Sequence, residues 1–214
     1  ALFQGKSSPT NPELAAATRR RLSNRGLSIP CIDTVKDFTD PAFDQEFAEC
    51  LRSAVNLGID YISLHTVCEK QDVCIDQIRA MLSLVGSKNV TLLVESAGAY
   101  TDTSRLRDLL NSFSDDHLAA LWNMYGTCAL AKEDAEETIT NLGAYVRHVH
   151  IHDYRRAQDA PFPELIGEGE LMMQDLMNAL RSVNYDGFIS LDWDPVWMPE
   201  LSDIEIILTH FANC

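Results

Sequence analysis

The chain has 214 residues, is 46% hydrophobic and 23% charged, and carries a formal net charge of −15. That length and composition suit one domain with a substantial core. The charge argues against nucleic acid and anionic membrane surfaces as partners, and no apolar run approaches the length of a membrane span.

Two kinds of segment alternate from end to end. A short apolar run at 1–4 reads as the end of a strand. Asn11 and Pro12 open the first helix, with Asn as N-cap and Pro at the first helical position, and Gly26 stops it. Strand patterns follow at 27–32 (LSIPCI) and 59–64 (IDYISL). Between them a helix over about 41–57 carries Phe43, Phe47, Cys50, Leu51 and Val55 on one stripe. A helix near 70–86 leads to a strand at 89–96 (NVTLLVES). A helix near 103–113 leads to one at 117–123 (HLAALWN). A helix near 132–143 precedes the strand at 146–152 (VRHVHIH). A helix near 171–183 precedes the strand at 187–192 (GFISLD), and a last helix falls near 202–212.

Alternating strands and helices, with nearly continuous apolar strands, indicate a parallel sheet covered by helices, an α/β fold. A doubly wound sheet would normally show a Gly-rich phosphate turn after an early strand, and no G-x-G-x-x-G follows any strand here. Polar residues instead collect at the C-terminal ends of the strands: Asp33, His65, Glu95, Asn123, His150 with His152, and Asp192. A (β/α) TIM-type barrel keeps its active site there, so the chain reads as a single barrel domain over 1–214. Seven strands are visible, one short of eight. Either the first β/α unit is missing from this chain or the barrel is open or incomplete. An exposed edge is a liability, so a second copy of the chain or a swapped segment is expected to cover it. The six cysteines form no C-x-x-C pair and read as reduced thiols, which places the protein in the cytoplasm. The first residues show no signal-peptide pattern.

Side chains alternate across a strand. His148, His150 and His152 therefore share one face, opposite Val149 and Ile151. By the same parity Glu95 goes with Leu93, Asn123 with Leu121, and Asp192 with Ser190. Glu95, Asn123, His150 and Asp192 can thus converge above the barrel core from consecutive strands. That mixture of oxygen and nitrogen donors suits one divalent ion such as Mn, Mg, Co or Zn. A polar barrel mouth with hydrogen-bonded side chains satisfies the same pattern. Gly167 and Gly169 most simply permit a tight turn before a helix, and Asp153 is the natural partner for His148 and His152.

The segments HVHIHD and IGEGELMMQDLMNALRSVNYDGFISLDWDPVWMPEL resemble the xylose isomerase-like TIM barrel family, the sugar phosphate isomerase/epimerases. NVTLLVES is similar to that family's strand with its first metal-binding Glu, and LAALWN to its WD strand. The resemblance implies a Glu, an Asp, a His and a second Glu around one divalent metal, with carboxylates moving a proton between neighbouring carbons of a sugar. On this chain it makes Glu95 and Asp192 the catalytic residues. Glu95, Asn123, His150 and Asp192 become the metal ligands. Arg156 stands at the spacing of a substrate-binding Arg in some of these epimerases. Outside the resemblance, His65 at a strand end, His152 on the histidine face and Trp193 as an apolar wall are the other candidate substrate contacts.

Two ligands depart from the pattern. Asn123 stands where the family has Asp, and Asp192 where it has Glu. Asn for Asp removes one negative charge from the cage. Asp for Glu shortens the reach by about 1.5 Å, while metal–ligand distances tolerate only about 0.2 Å. Tyr125 and Gly126 stand where the family often has His. The expectation is a divalent-metal-dependent sugar (phosphate) isomerase or epimerase, acting in carbohydrate metabolism on a small polyol or ketose. The competing reading is a catalytically degenerate barrel serving as a binding or scaffold domain, or a piece of a larger protein. The multi-zinc abasic-site endonucleases of the same superfamily need more His and acidic ligands and a basic groove, which this chain lacks.

Overall fold

A computed structural model describes residues 11–158, 160–194 and 204–213. The backbone falls into two compact units. One comprises the described residues up to Glu95 with Leu109–Ala119; the other comprises Ser96–Asp108 and the described residues from Ala120 onward.

The first unit runs α1 (Pro12–Ser23), β1 (Cys31–Asp33), α2 (Phe43–Leu57), β2 (Tyr61–Leu64), α3 (Gln71–Val85) and β3 (Thr91–Glu95). Asn11 caps α1 as expected, its side-chain oxygen accepting from the Glu13 N–H at 2.9 Å. Residues 27–30 do not join a strand. Pro30 has no N–H to give a ladder, which shortens the expected strand from its N-terminal side. β1, β2 and β3 pair in parallel, with Cys31 beside Tyr61 and Tyr61 beside Thr91. Parallel strands sandwiched by helices are buried on both faces, and Ile62, Leu64, Leu92, Leu93 and Val94 are fully buried. The apolar stripe of α2 places Phe43 and Phe47 in this core, ring centroids 5.9 Å apart.

The loops that leave β1 and β2 are fixed by Asp37. Its carboxylate accepts from the Thr39 N–H and hydroxyl, the Thr66 hydroxyl and the Val67 N–H, at 2.7–2.8 Å.

The second unit holds a 3₁₀ turn (Gly98–Tyr100) and most of α4 (Thr103–Leu110) and β4 (Leu118–Asn123). A π-helical turn (Gly126–Ala131), α5 (Ala135–Leu142), β5 (Val146–Ile151), β6 (Asp153–Arg155), β7 (Phe162–Glu164), α6 (Met173–Ser182), β8 (Ile189–Leu191) and α7 (Ile204–Asn213) follow. β4, β5 and β8 are parallel, and Asn123, His150 and Ser190 lie side by side across them. β6 and β7 form an antiparallel hairpin that the helical and strand periodicities did not announce.

Six of the seven expected strands are present; the seventh, at 1–4, lies outside the described residues. β5 ends at Ile151, so His152 lies between β5 and β6 and its direction is not set by the alternation that governs His148 and His150. No helix among the described residues is long and apolar enough to cross a membrane.

Candidate functional site at the strand ends

In the first unit the C-terminal ends of the strands present Glu95, on β3, and His65, just beyond β2. Both are half-buried. Asp33 ends β1 and accepts the Ser63 hydroxyl at 2.7 Å.

The second unit gathers a denser set. His148, His150 and His152 are all buried, as is Asn123. The His148 Nε2 and Ser190 Oγ are hydrogen-bonded at 3.0 Å across neighbouring strands. The His148 and His150 rings meet edge-on, centroids 5.2 Å apart. The His152 Nδ1 faces Asp192 Oδ2 at 3.6 Å. Burial works against charging Asp192, but the adjacent His152 imidazole, with the field of His150, outweighs it and holds the carboxyl below its ordinary value. The Tyr125 ring lies over His152, centroids 4.2 Å apart at 31°. Burial, then the neighbouring Tyr154, pushes the Tyr125 phenol up. Trp193 follows Asp192 and is half-buried.

Asn123 has a local task. Its side-chain oxygen accepts the Gly126 N–H at 2.9 Å, and its own N–H donates to Ser96 Oγ at 2.9 Å. This starts the π-helical turn. A Cβ on Gly126 would fall onto the Ser96 carbonyl oxygen, far inside contact distance, so any other residue forces the turn to shift.

Asp153 does not partner the histidines, as the sequence suggested; Ser190 and Asp192 do. Its fully buried carboxylate accepts four backbone N–H groups. Oδ1 takes those of Tyr154 and Leu171 at 2.8 and 2.9 Å, and Oδ2 those of Gly167 and Gly169 at 3.0 Å each. The glycine turn wraps this carboxylate. Gly167 has φ +85°, and a Cβ on Gly169 would fall onto Asp153.

Arg156 is drawn elsewhere. Its side chain is 61% exposed, with Nε 3.6 Å from Glu170 Oε2. It lines a cavity of about 820 Å³ together with Tyr154, Glu170, Met172 and residues of α5 and α6. His65, His152 and Trp193 do not line that cavity.

The sequence matches the family described as xylose isomerase-like TIM barrel over residues 2–208. The chain belongs to the xylose isomerase-like TIM barrel family. Solved structures agree on the fold. A xylose isomerase domain protein from Planctomyces limnophilus superposes with a TM-score of 0.77 at 15% identity, covering 96% of this chain and 86% of that one. The apo 3-keto-D-glucoside 4-epimerase YcjR from E. coli gives 0.73 at 13% identity, over 95% and 86%. The IOLI protein with a bound zinc atom gives 0.73 at 14% identity, over 94% and 82%. A comparison with curated proteins gives no match. The expected TIM-type barrel is thus the fold of this family member.

Family membership implies a divalent ion, and the donors present do not fit one. Among the described residues no three His, Cys, Asp or Glu side chains stand together so as to hold a metal. The Asn123 oxygen is engaged by Gly126, and the Asp192 carboxylate faces His152.

The sequence marks Tyr125 and Ser190 only by position and not as site residues. Parity links Ser190 to Asp192, whereas Tyr125 lies beyond the end of β4, where alternation gives no direction.

Proposed function

We propose that this family member is a sugar isomerase/epimerase-like protein, acting on a small polyol or ketose by proton transfer between adjacent carbons. The observation that carries the proposal is the cluster of Asn123, His150, His152 and Asp192 at the ends of three parallel strands, where barrels of this type keep their chemistry. The epimerase among its structural neighbours supports the same reading.

Moving a proton off a carbon beside a carbonyl needs a base within hydrogen-bond reach and an acid to return it. Asp192 is held as a carboxylate and His152 lies beside it to orient it. Glu95 is the base that the family pattern assigns. The Tyr125 ring and the Trp193 indole supply apolar surface for the C–H face of a sugar. Arg156 is assigned a substrate contact on the family pattern and His65 on its place just beyond β2, and a phosphate on the substrate is not required by this reading. A second reading, a barrel that binds carbohydrate without turning it over, is favoured by the commitment of Asn123 and Asp192 to partners within the protein.

The test is proton NMR in D₂O with simple ketoses and an inosose. Solvent deuterium entering at the carbon next to the carbonyl, with a new epimer, is the expected result. Glu95→Gln and Asp192→Asn should each slow the exchange by about 10²–10⁴-fold. No exchange on any of these substrates ends the isomerase reading and leaves the second.

A further inference from the structure

The cluster at the ends of β4, β5 and β8 differs from a metal cage in a way that has its own consequence. An ion of this kind needs several lone pairs aimed at one point, with ligand distances held within about 0.2 Å. Here the donors are turned toward protein partners. Asn123 Oδ1 accepts from Gly126 at 2.9 Å, in a turn where Gly126 packs closely against the Ser96 carbonyl. Asp192 Oδ2 faces His152 Nδ1 at 3.6 Å, and Tyr125 stacks on that same His152 ring at 4.2 Å. His148 Nε2 is joined to Ser190 Oγ at 3.0 Å. An ion here would have to share Asn123 Oδ1 with the Gly126 N–H and compete with His152 for Asp192, and among the described residues no three His, Cys, Asp or Glu side chains stand together so as to hold one.

We propose that the hydrogen bonds Asn123–Gly126 and His148–Ser190, with the His152–Asp192 ion pair, replace the resident divalent ion, so that a polyol at this cluster is met by the Asp192 carboxylate, the His152 imidazole and the face of Tyr125. Hydroxyl groups donate to the carboxylate, and the ring covers an apolar sugar face. The inference concerns how the site is built and goes beyond the question of turnover.

The test is metal uptake by the full chain. Protein stripped with EDTA is dialysed against micromolar Zn²⁺, Mn²⁺ or Co²⁺, and its content is measured by plasma mass spectrometry beside His150→Ala and Asp192→Asn. Circular dichroism checks that both variants fold. The expected result is no stoichiometric ion that depends on His150 or Asp192; any ion retained equally by wild type and folded variants sits elsewhere and upholds the proposal. One equivalent in the wild type, lost in either folded variant, overturns it. If a variant fails to fold, the wild-type content alone decides: less than a tenth of an equivalent upholds the proposal, and one equivalent with its signature at imidazole nitrogen by X-ray absorption overturns it. The deuterium-exchange assay run in EDTA separates the two readings. Exchange abolished by EDTA and restored by metal overturns this proposal and keeps the isomerase. Absence of exchange with and without metal removes the isomerase and leaves the metal-free site standing on the uptake result.

Discussion

Replacing Asp153 by Asn tests how the glycine turn is held. The side chain keeps its shape, but one carboxylate oxygen becomes an NH₂ that cannot accept. Two of the four backbone N–H groups, either Tyr154 and Leu171 or Gly167 and Gly169, then face a donor. Hydrogen bonds to a charged group are worth about 1.5–3 kcal/mol each, so two lost bonds cost about 3–6 kcal/mol. Part of this is offset, because the variant no longer holds a fully desolvated charge in the fold. The expected net loss is about 2–4 kcal/mol. For a chain of this size about 3 kcal/mol lowers Tm by roughly 6–12 °C. Thermal and urea unfolding measure the loss. Amide hydrogen exchange should quicken at Gly167, Gly169 and Leu171 before it does in β4 or β5. An Asp153→Asn protein melting within a degree of wild type, with those amides still protected, would refute the assignment of the carboxylate as the organiser of the turn.

Gly126→Ala should be destabilised by about 1–3 kcal/mol through overpacking against the Ser96 carbonyl, and a wild-type melting temperature would show that the turn can relax. Asp37 titrates below its ordinary value: burial opposes its charge, but the Val67, Thr39 and Thr66 hydrogen bonds outweigh it. A depressed folded value means that its stabilisation is complete above the unfolded value, about 3.9, and is lost as pH falls through the still lower folded one. Asp37→Asn should therefore lose stability at pH 7 and flatten the acid limb of the stability curve, as read by urea midpoints at pH 2–7; an unchanged limb would count against this. Burial, then the charges of Glu46, Glu49 and Asp33, pushes the Cys50 thiol up to about 11, and burial pushes Cys31 higher still. Neither should react with iodoacetamide at pH 7.5 in the native protein, and mass-spectrometric detection of either adduct within minutes would contradict the packing around them.

Elements built from local signals were legible at the level of residues. Asn11–Pro12 opens α1 where its capping chemistry says it should, and Gly58, at φ +72°, ends α2 where the apolar stripe stops. The parity argument also held on β5 and β8, since His148 reaches Ser190 across the ladder. It does not extend to His152, which lies beyond the end of β5 at Ile151 yet still faces Asp192. Nothing in VRHVHIHD says that β5 stops at Ile151 or that Asp153, two residues on, gathers N–H groups from residues 154–171. The same distance in sequence hid the Arg156–Glu170 pair, which takes the guanidinium to the α5 and α6 cavity.

The sequence by itself determined the order of the parallel strands and the helices between them, the barrel class and the family, because periodicity, caps and motif spacing are properties of neighbours along the chain. It also placed polar side chains at the strand ends. Only the tertiary structure decided what those side chains bind. Asn123 turned to Gly126, Asp192 to His152 and Asp153 to the glycine turn. A buried polar atom takes the partner that folding brings within about 3 Å, and that partner is set by packing across the chain rather than by the residue's own motif.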